Sequence, residues 1–63
     1  MIYVDTVYKT KFTKKWIQET KVYANKLLAL RAIYALREKG FIIEGYRCDD
    51  YSDAEWLNRR VQL

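Results

Sequence analysis

The chain has 63 residues, a formal net charge of +4, one cysteine, and neither histidine nor proline. A chain this short holds one small domain, residues 1–63, which buries only about 60 % of the surface that its unfolded form exposes. With one cysteine and no histidine it lacks the ligands of a zinc finger and the residues of Ser-His-Asp or Cys-His catalysis. Its 51 % hydrophobic and 16 % aromatic content is typical of a folded chain. We therefore expect a folded binding module that is not an enzyme and uses no cofactor.

The first two elements are predicted to be strands, because β-branched and aromatic residues alternate there with a period of two. The alternation runs from Ile2 to Thr10 and again from Trp16 to Tyr23. The polar stretch between them, KFTKK, contains no Asn-Gly or Asp-Gly turn. Its position between two strands nevertheless favours a hairpin.

A helix is predicted from Lys26 to Lys39, where nearly every residue is a strong helix former. Asn25 suits the N-cap, and Gly40 suits the left-handed position that follows the last turn. A third strand is predicted from Phe41 to Cys48, and Gly45 within it marks a bulge or a close approach of another segment.

The segment after Cys48 has two interpretations. Ser52 and Glu55 fit a capping box, and Ala54, Leu57 and Val61 share one helical face, which favours a short C-terminal helix. The alternative makes DDYSDAEW a loop and LNRRVQL a fourth strand.

The element order ββαβ predicts an α+β domain with a three-stranded antiparallel sheet in the order 2-1-3. The helix covers one face of this sheet, and the other face stays uncovered. On a helical wheel, the residues expected to pack on the sheet are Leu28, Ala29, Ala32, Ile33, Ala35 and Leu36.

A second apolar stripe lies on the far side of the helix and comprises Leu27, Leu30 and Tyr34; we call it the outer ridge. A helix that is covered on one side has no need of it, so we expect it to contact a host protein or, in a homodimer, a second copy. The alternatives are that the C-terminal tail covers it or that its residues are scattered surface apolars. With Arg31 and aromatic residues of the sheet, the expected partner-binding set is Leu27, Leu30, Arg31, Tyr34, Tyr3 and Trp16.

The end of the predicted hairpin is rich in lysine, with aromatic residues interleaved. Lysines bind phosphates and aromatic rings stack on bases, so the alternative function is nucleic-acid binding. The absence of arginine here argues against specific readout of guanine edges. The purely structural interpretation is a solvated hairpin end whose lysines discourage edge-to-edge pairing. The expected nucleic-acid-binding residues are Lys9, Lys11, Phe12, Lys14 and Lys15.

Charge is segregated along the chain. In residues 1–26, six lysines against Asp5 and Glu19 give +4, whereas residues 41–63 give −2. The acidic stretch CDDYSDAE can steer a basic partner or offer oxygen ligands to a hard cation, although its spacing matches no EF-hand. Cys48, at its start, is expected to be a small, partly buried hydrophobe whose thiol pKa is raised by acidic neighbours. No metal site is expected.

The N-terminal residues MIYVDTVY do not form a signal peptide, and the apolar-rich run Leu27–Leu36 is too short and too charged to cross a bilayer. The expected location is therefore the cytoplasm, with no membrane contact.

In size, in Lys- and Tyr-rich composition and in element order over residues 2–48, the chain resembles small phage-encoded host-takeover proteins, such as the small phage inhibitor of bacterial RNA polymerase. This resemblance implies a phage protein that binds a host protein in the host cytoplasm and inhibits or redirects it. It includes no sequence motif, and the working surface of that inhibitor is acidic whereas this hairpin is basic. No functional residue is carried over.

Overall fold

The structure, a computed structural model, describes residues 1–12 and 14–61. Its elements are strand β1 (Ile2–Tyr8), strand β2 (Ile17–Tyr23), helix α1 (Lys26–Glu38), strand β3 (Ile42–Cys48) and helix α2 (Tyr51–Asn58). The predicted order is confirmed, and each predicted element ends within two residues of its observed bounds. The C-terminal segment forms a helix, so the fourth-strand interpretation is wrong; its last residues, 62 and 63, lie outside the described part, as does Thr13 of the hairpin.

The sheet has the predicted order β2-β1-β3, with both pairs antiparallel. β1 and β2 pair without interruption from Ile2↔Tyr23 to Tyr8↔Ile17. Between β1 and β3 the register shifts: Asp5 lies opposite Gly45 and Thr6 opposite Ile43, so Glu44 is the additional residue of a bulge. Of the two interpretations of Gly45, a bulge or a close approach, the structure shows the bulge.

Alternation along β1 assigns the two faces of the sheet. Ile2, Val4 and Thr6 are buried beneath the helices, whereas Tyr3, Asp5 and Val7 lie on the opposite face and are only partly buried. We call this second face the open face. The expectation that α1 leaves one face of the sheet uncovered is confirmed.

The hydrophobic core lies between the sheet and both helices. It consists of Ile2, Val4, Ala29, Ile33, Leu36, Ile43, Leu57 and Val61. The predicted sheet-facing surface of α1 is right for Ala29, Ile33 and Leu36 and wrong for Leu28 and Ala35, which are exposed. The physical reason is α2, which packs against the other flank of α1 and moves the centre of its buried surface away from Leu28.

Local hydrogen bonds explain where α1 begins and ends. The Asn25 side chain accepts a hydrogen bond from the backbone N–H of Leu28 at 3.0 Å. At the other end Gly40 has a φ of 92°, and the N–H groups of Gly40 and Phe41 donate to the carbonyls of Arg37 and Leu36, both at 3.0 Å. These bonds form a Schellman motif, which needs a left-handed residue and therefore favours glycine.

The predicted capping box of α2 is wrong. The N-cap is Asp50, whose carboxylate accepts hydrogen bonds from the backbone N–H and the hydroxyl of Ser52, both at 2.8 Å. Ser52 therefore lies inside the first turn, because aspartate is at least as good an N-cap as serine and comes earlier in the chain. These bonds also hold the pKa of Asp50 below its usual value.

Candidate binding surfaces

The end of the hairpin, described for residues 9–12 and 14–16, projects beyond the sheet; we call these residues the hairpin tip. β1 pairs with β2 only as far as Tyr8↔Ile17 and with β3 only as far as Val7↔Ile42, so the chain continues past the last paired residues. The molecule is correspondingly elongated, with extents of 39 × 18 × 17 Å. All the predicted nucleic-acid-binding residues lie here and are exposed: Lys9, Lys11, Phe12, Lys14 and Lys15.

Aromatic residues occupy both the end and the base of the hairpin tip. Phe12 is 95 % exposed, although burying such a side chain would be favourable. Trp16 is 58 % exposed, and the ammonium of Lys9 lies 5.8 Å from its ring centroid. Below them Tyr8 packs against Phe41, with ring centroids 4.7 Å apart, and joins the hairpin to the α1–β3 connection. The tip thus presents two accessible rings on a supported base.

The carboxylate that is closest to the hairpin tip along the chain, that of Glu19, is already engaged. Glu19 accepts a hydrogen bond from the Tyr8 hydroxyl at 3.0 Å and lies 3.2 Å from the ammonium of Lys21. The Tyr8 bond, followed by Lys21, lowers the pKa of Glu19, and the same bond raises the pKa of Tyr8. Within the described part of the chain, none of the ion pairs includes a lysine of the hairpin tip. The positive charge of the tip is therefore not compensated locally.

The structure divides the outer ridge. Leu30 is partly buried and packs against the core, so its assignment to an exposed stripe is wrong. Tyr34 is 47 % exposed, and its hydroxyl donates to the Arg60 carbonyl at 3.3 Å. Leu27 is 50 % exposed, and Arg31 is exposed one turn further along α1. The segment after α2 therefore touches the ridge without closing it, and an accessible surface of Leu27, Arg31 and Tyr34 remains.

Tyr3 does not join this surface, because it lies on the open face of the sheet. The guanidinium of Arg47 lies 5.4 Å from its ring centroid and 3.4 Å from the Asp5 carboxylate, which also accepts a hydrogen bond from the Thr20 hydroxyl at 2.7 Å. The members of the predicted partner-binding set are thus distributed over three surfaces: α1, the open face and the hairpin tip.

The acidic segment is accounted for by structural contacts. Asp50 caps α2, and three other carboxylates pair with cations: Asp49 with the N-terminal ammonium at 3.2 Å, Asp53 with Lys26 at 3.7 Å, and Glu55 with Arg59 at 3.0 Å. Across residues 1–12 and 14–61, no cluster of three or more metal-ligating side chains occurs.

Cys48 is partly buried and packs against the core. Burial, and then the charges of Asp53, Asp49 and Asp50, raise the pKa of its thiol, while the N-terminal ammonium lowers it. A raised pKa reduces the thiolate fraction and hence the reactivity of this side chain.

One feature escaped sequence reasoning. Trp56 of α2 lies close to two cations: the ammonium of Lys26 is 5.2 Å from its ring centroid and the guanidinium carbon of Arg60 is 4.0 Å from it. A shallow depression beside it is lined by Ser52, Glu55, Trp56, Arg59 and Arg60. The spacing of Trp56 and Arg60, one helical turn apart, signals half of this arrangement. Lys26 comes from a distant part of the sequence and gives no such signal.

Comparisons of the chain with protein-family models, with curated proteins and with solved structures gave no match. Among the described residues, no helix combines the length and the apolar character needed to cross a membrane.

Proposed function

We propose that this protein is a non-catalytic module that binds nucleic acid, preferably single-stranded, through its hairpin tip. The observation that carries the proposal is the coincidence, at one projecting end, of four exposed lysines and a phenylalanine that is 95 % exposed. Lysines attract phosphates without reading sequence, and an exposed ring stacks on unpaired bases. Of the two predicted surfaces, this is the one whose residues lie together.

Binding is expected to be strong at low salt and to weaken steeply as salt is added. Each phosphate contact on a single strand contributes about 0.7 to the slope of log K against log salt. Stacking on Phe12 contributes about 1–3 kcal/mol per base, and an unpaired base offers the free face that a duplex does not. The absence of arginine from the tip predicts little discrimination between sequences.

The test is fluorescence anisotropy with a labelled single-stranded oligonucleotide of mixed sequence at several salt concentrations. The double variant Lys11→Gln/Lys14→Gln is compared with Arg31→Gln/Lys39→Gln, which removes the same charge from exposed positions of α1 and its C-cap. We expect the first variant to bind more weakly, with a slope smaller by about 1.4, and the second to retain most of the affinity. Equal losses in both variants, or binding that does not depend on salt, would contradict the proposal.

A second variant separates stacking from charge. Because Phe12 is 95 % exposed, Phe12→Ala should leave the fold unchanged. It should weaken binding to the single strand by roughly 5- to 150-fold without changing the salt slope. An unchanged affinity would show that the tip acts only as a cluster of charges.

The second candidate function is protein binding through α1, as the resemblance to phage-encoded host-takeover proteins implies. It is favoured by Leu27 and Tyr34, which are 50 % and 47 % exposed on either side of Arg31. Tyrosine and arginine side chains are enriched at the centres of protein interfaces. Capture from bacterial lysate that is abolished by Leu27→Asp but not by Phe12→Ala would support this candidate over the first.

A further inference from the structure

The two edges of the sheet differ in regularity. β3 forms one edge, and its bulge at Glu44 and Gly45 interrupts the spacing of its backbone groups. β2 forms the other edge and pairs with β1 over seven consecutive residues without a bulge. In the part of the chain that the structure describes, no strand lies on the outer side of β2. Bulged edges resist pairing with another strand, whereas regular ones accept it.

The sequence of β2 is self-complementary in charge about its centre. Thr20 is the middle residue of Ile17–Tyr23, with Glu19 immediately before it and Lys21 immediately after it. If a second copy of β2 pairs antiparallel with Thr20 opposite Thr20, each Glu19 lies opposite the Lys21 of the other copy. Opposite charges in directly facing positions stabilise a strand pair, and like charges destabilise it.

We infer that β2 is the interface of a symmetric homodimer, in which two copies pair antiparallel about Thr20 and form one six-stranded sheet. All seven residues of each β2 then find a partner. On the helix side Ile17 faces Tyr23, and on the open face Gln18 faces Val22, which is 50 % exposed in the single chain.

Charged residues on an edge strand usually discourage pairing, so the state of Glu19 and Lys21 matters. Within one chain these side chains lie 3.2 Å apart and are each about one-third exposed. Their charges are already matched in the single chain. In the dimer, the Glu19 and Lys21 of the second copy run antiparallel to those of the first. The four side chains then form a square in which positive and negative charges alternate.

The test begins with sedimentation equilibrium of the full chain over two decades of concentration, about 5 to 500 µM, where weak interfaces dissociate. We expect a reversible dimer. In Lys21→Glu, each Glu19 faces a glutamate at position 21 of the other copy. This repulsion should raise the dissociation constant about tenfold. The swapped variant Glu19→Lys/Lys21→Glu restores opposite charges in every facing position, and its dissociation constant should return to within about twofold of that of the wild type.

A cross-linking experiment tests the register independently of charge. In a Cys48→Ser background, Thr20→Cys places two thiols directly opposite each other. Facing α-carbons in an antiparallel pair lie about 4.5–5.5 Å apart, within the range of a disulfide. The matched control is Gln18→Cys, on the same face of the same strand, whose two copies would lie about 13 Å apart. Mild oxidation should cross-link the first variant and not the second.

A wild-type protein that stays monomeric throughout the concentration range overturns the inference. A dimer that Lys21→Glu does not weaken, or that cross-links equally through position 18, places the interface elsewhere and also overturns it. If Lys21→Glu fails to fold, the swapped variant and the cysteine pair still decide the outcome. Nucleic-acid binding at the hairpin tip is measured separately, so either proposal can fail alone.

Discussion

Leu57→Ala tests whether α2 is part of the domain or an appendage to it. Leu57 is fully buried, at 0 % exposure, and Val61 behind it is 4 % exposed. Truncating a buried leucine to alanine costs about 2–5 kcal/mol, because it removes apolar contacts and leaves a cavity. Alanine is at least as good a helix former as leucine, so the loss measures packing and not helix propensity.

The size of the expected effect follows from the size of the domain. At roughly 0.05–0.15 kcal/mol per residue, a chain of 63 residues has a free energy of unfolding of about 3–9 kcal/mol. At the midpoints of the two ranges, about 3.5 of about 6 kcal/mol, the substitution removes more than half of the stability. Because Leu57 shares one core with Ile2, Val4 and Ile33, we expect helix and sheet to unfold together.

Urea unfolding, followed both by far-ultraviolet circular dichroism and by tryptophan fluorescence in a Trp16→Phe background, measures this. In that background the fluorescence reports Trp56 of α2 alone. Tyr51→Ala is the control, since Tyr51 is in the same helix and 83 % exposed, and it should leave the midpoint unchanged. If Leu57→Ala abolished the Trp56 signal while circular dichroism kept the wild-type midpoint, α2 would be an appendage and the reasoning would be refuted.

Two further predictions concern the helix caps and pH. Asn25→Ala removes the acceptor of the Leu28 N–H and should lower the free energy of unfolding by about 1 kcal/mol in urea titrations; an unchanged value would show that the cap is not needed. The pKa values of Asp50 and Glu19 are lowered in the folded state. Their contribution to stability is therefore present above the unfolded pKa values of about 4 and lost as the pH falls below them. Thermal melts between about pH 6 and about pH 2.5 measure this loss. The melting temperature should fall less with decreasing pH for Asp50→Asn than for the wild type, and equal falls would contradict this origin.

The elements that sequence reasoning predicted well are those fixed by local interactions. The end of α1 is an example: the Schellman motif is complete within the residues from Leu36 to Phe41, and Gly40 is the residue whose positive φ it requires. The alternation in β1 and β2 likewise depends on near neighbours. For such elements the chain itself contains most of the physical information.

The orientation of α1 about its own axis could not be predicted in this way. The wheel of α1 alone places Leu28 on the sheet and Leu30 outside, whereas in the structure Leu28 is exposed and Leu30 packs against the core. Contacts that cover α1 come from α2 and from the residues that follow it, more than twenty positions further along the chain. These contacts include the pairing of Lys26 with Asp53 and the hydrogen bond from Tyr34 to the Arg60 carbonyl. A helix with apolar residues over most of its circumference is oriented by whichever neighbours cover it.

The two candidate sites differ for the same reason. Residues of the hairpin tip are contiguous in sequence, so their proximity follows from the hairpin alone. The partner-binding set combined Tyr3, Trp16 and positions of α1, and only tertiary structure determines whether such residues meet. They do not meet, since Tyr3 lies beneath Arg47 on the open face.

The segregation of charge acquires a functional meaning once the contacts are known. The carboxylates of Asp5, Glu19, Asp49 and Asp53 each lie within 4 Å of a cationic group of the same chain, and Asp50 caps a helix. Most carboxylates of the chain are therefore used to hold the fold together. The lysines of the hairpin tip have no such partners in the described chain, so the positive charge that remains is concentrated at the projecting end. A field of that kind attracts polyanions from solution before any specific contact forms, which is the property that nucleic-acid binding at the hairpin tip requires.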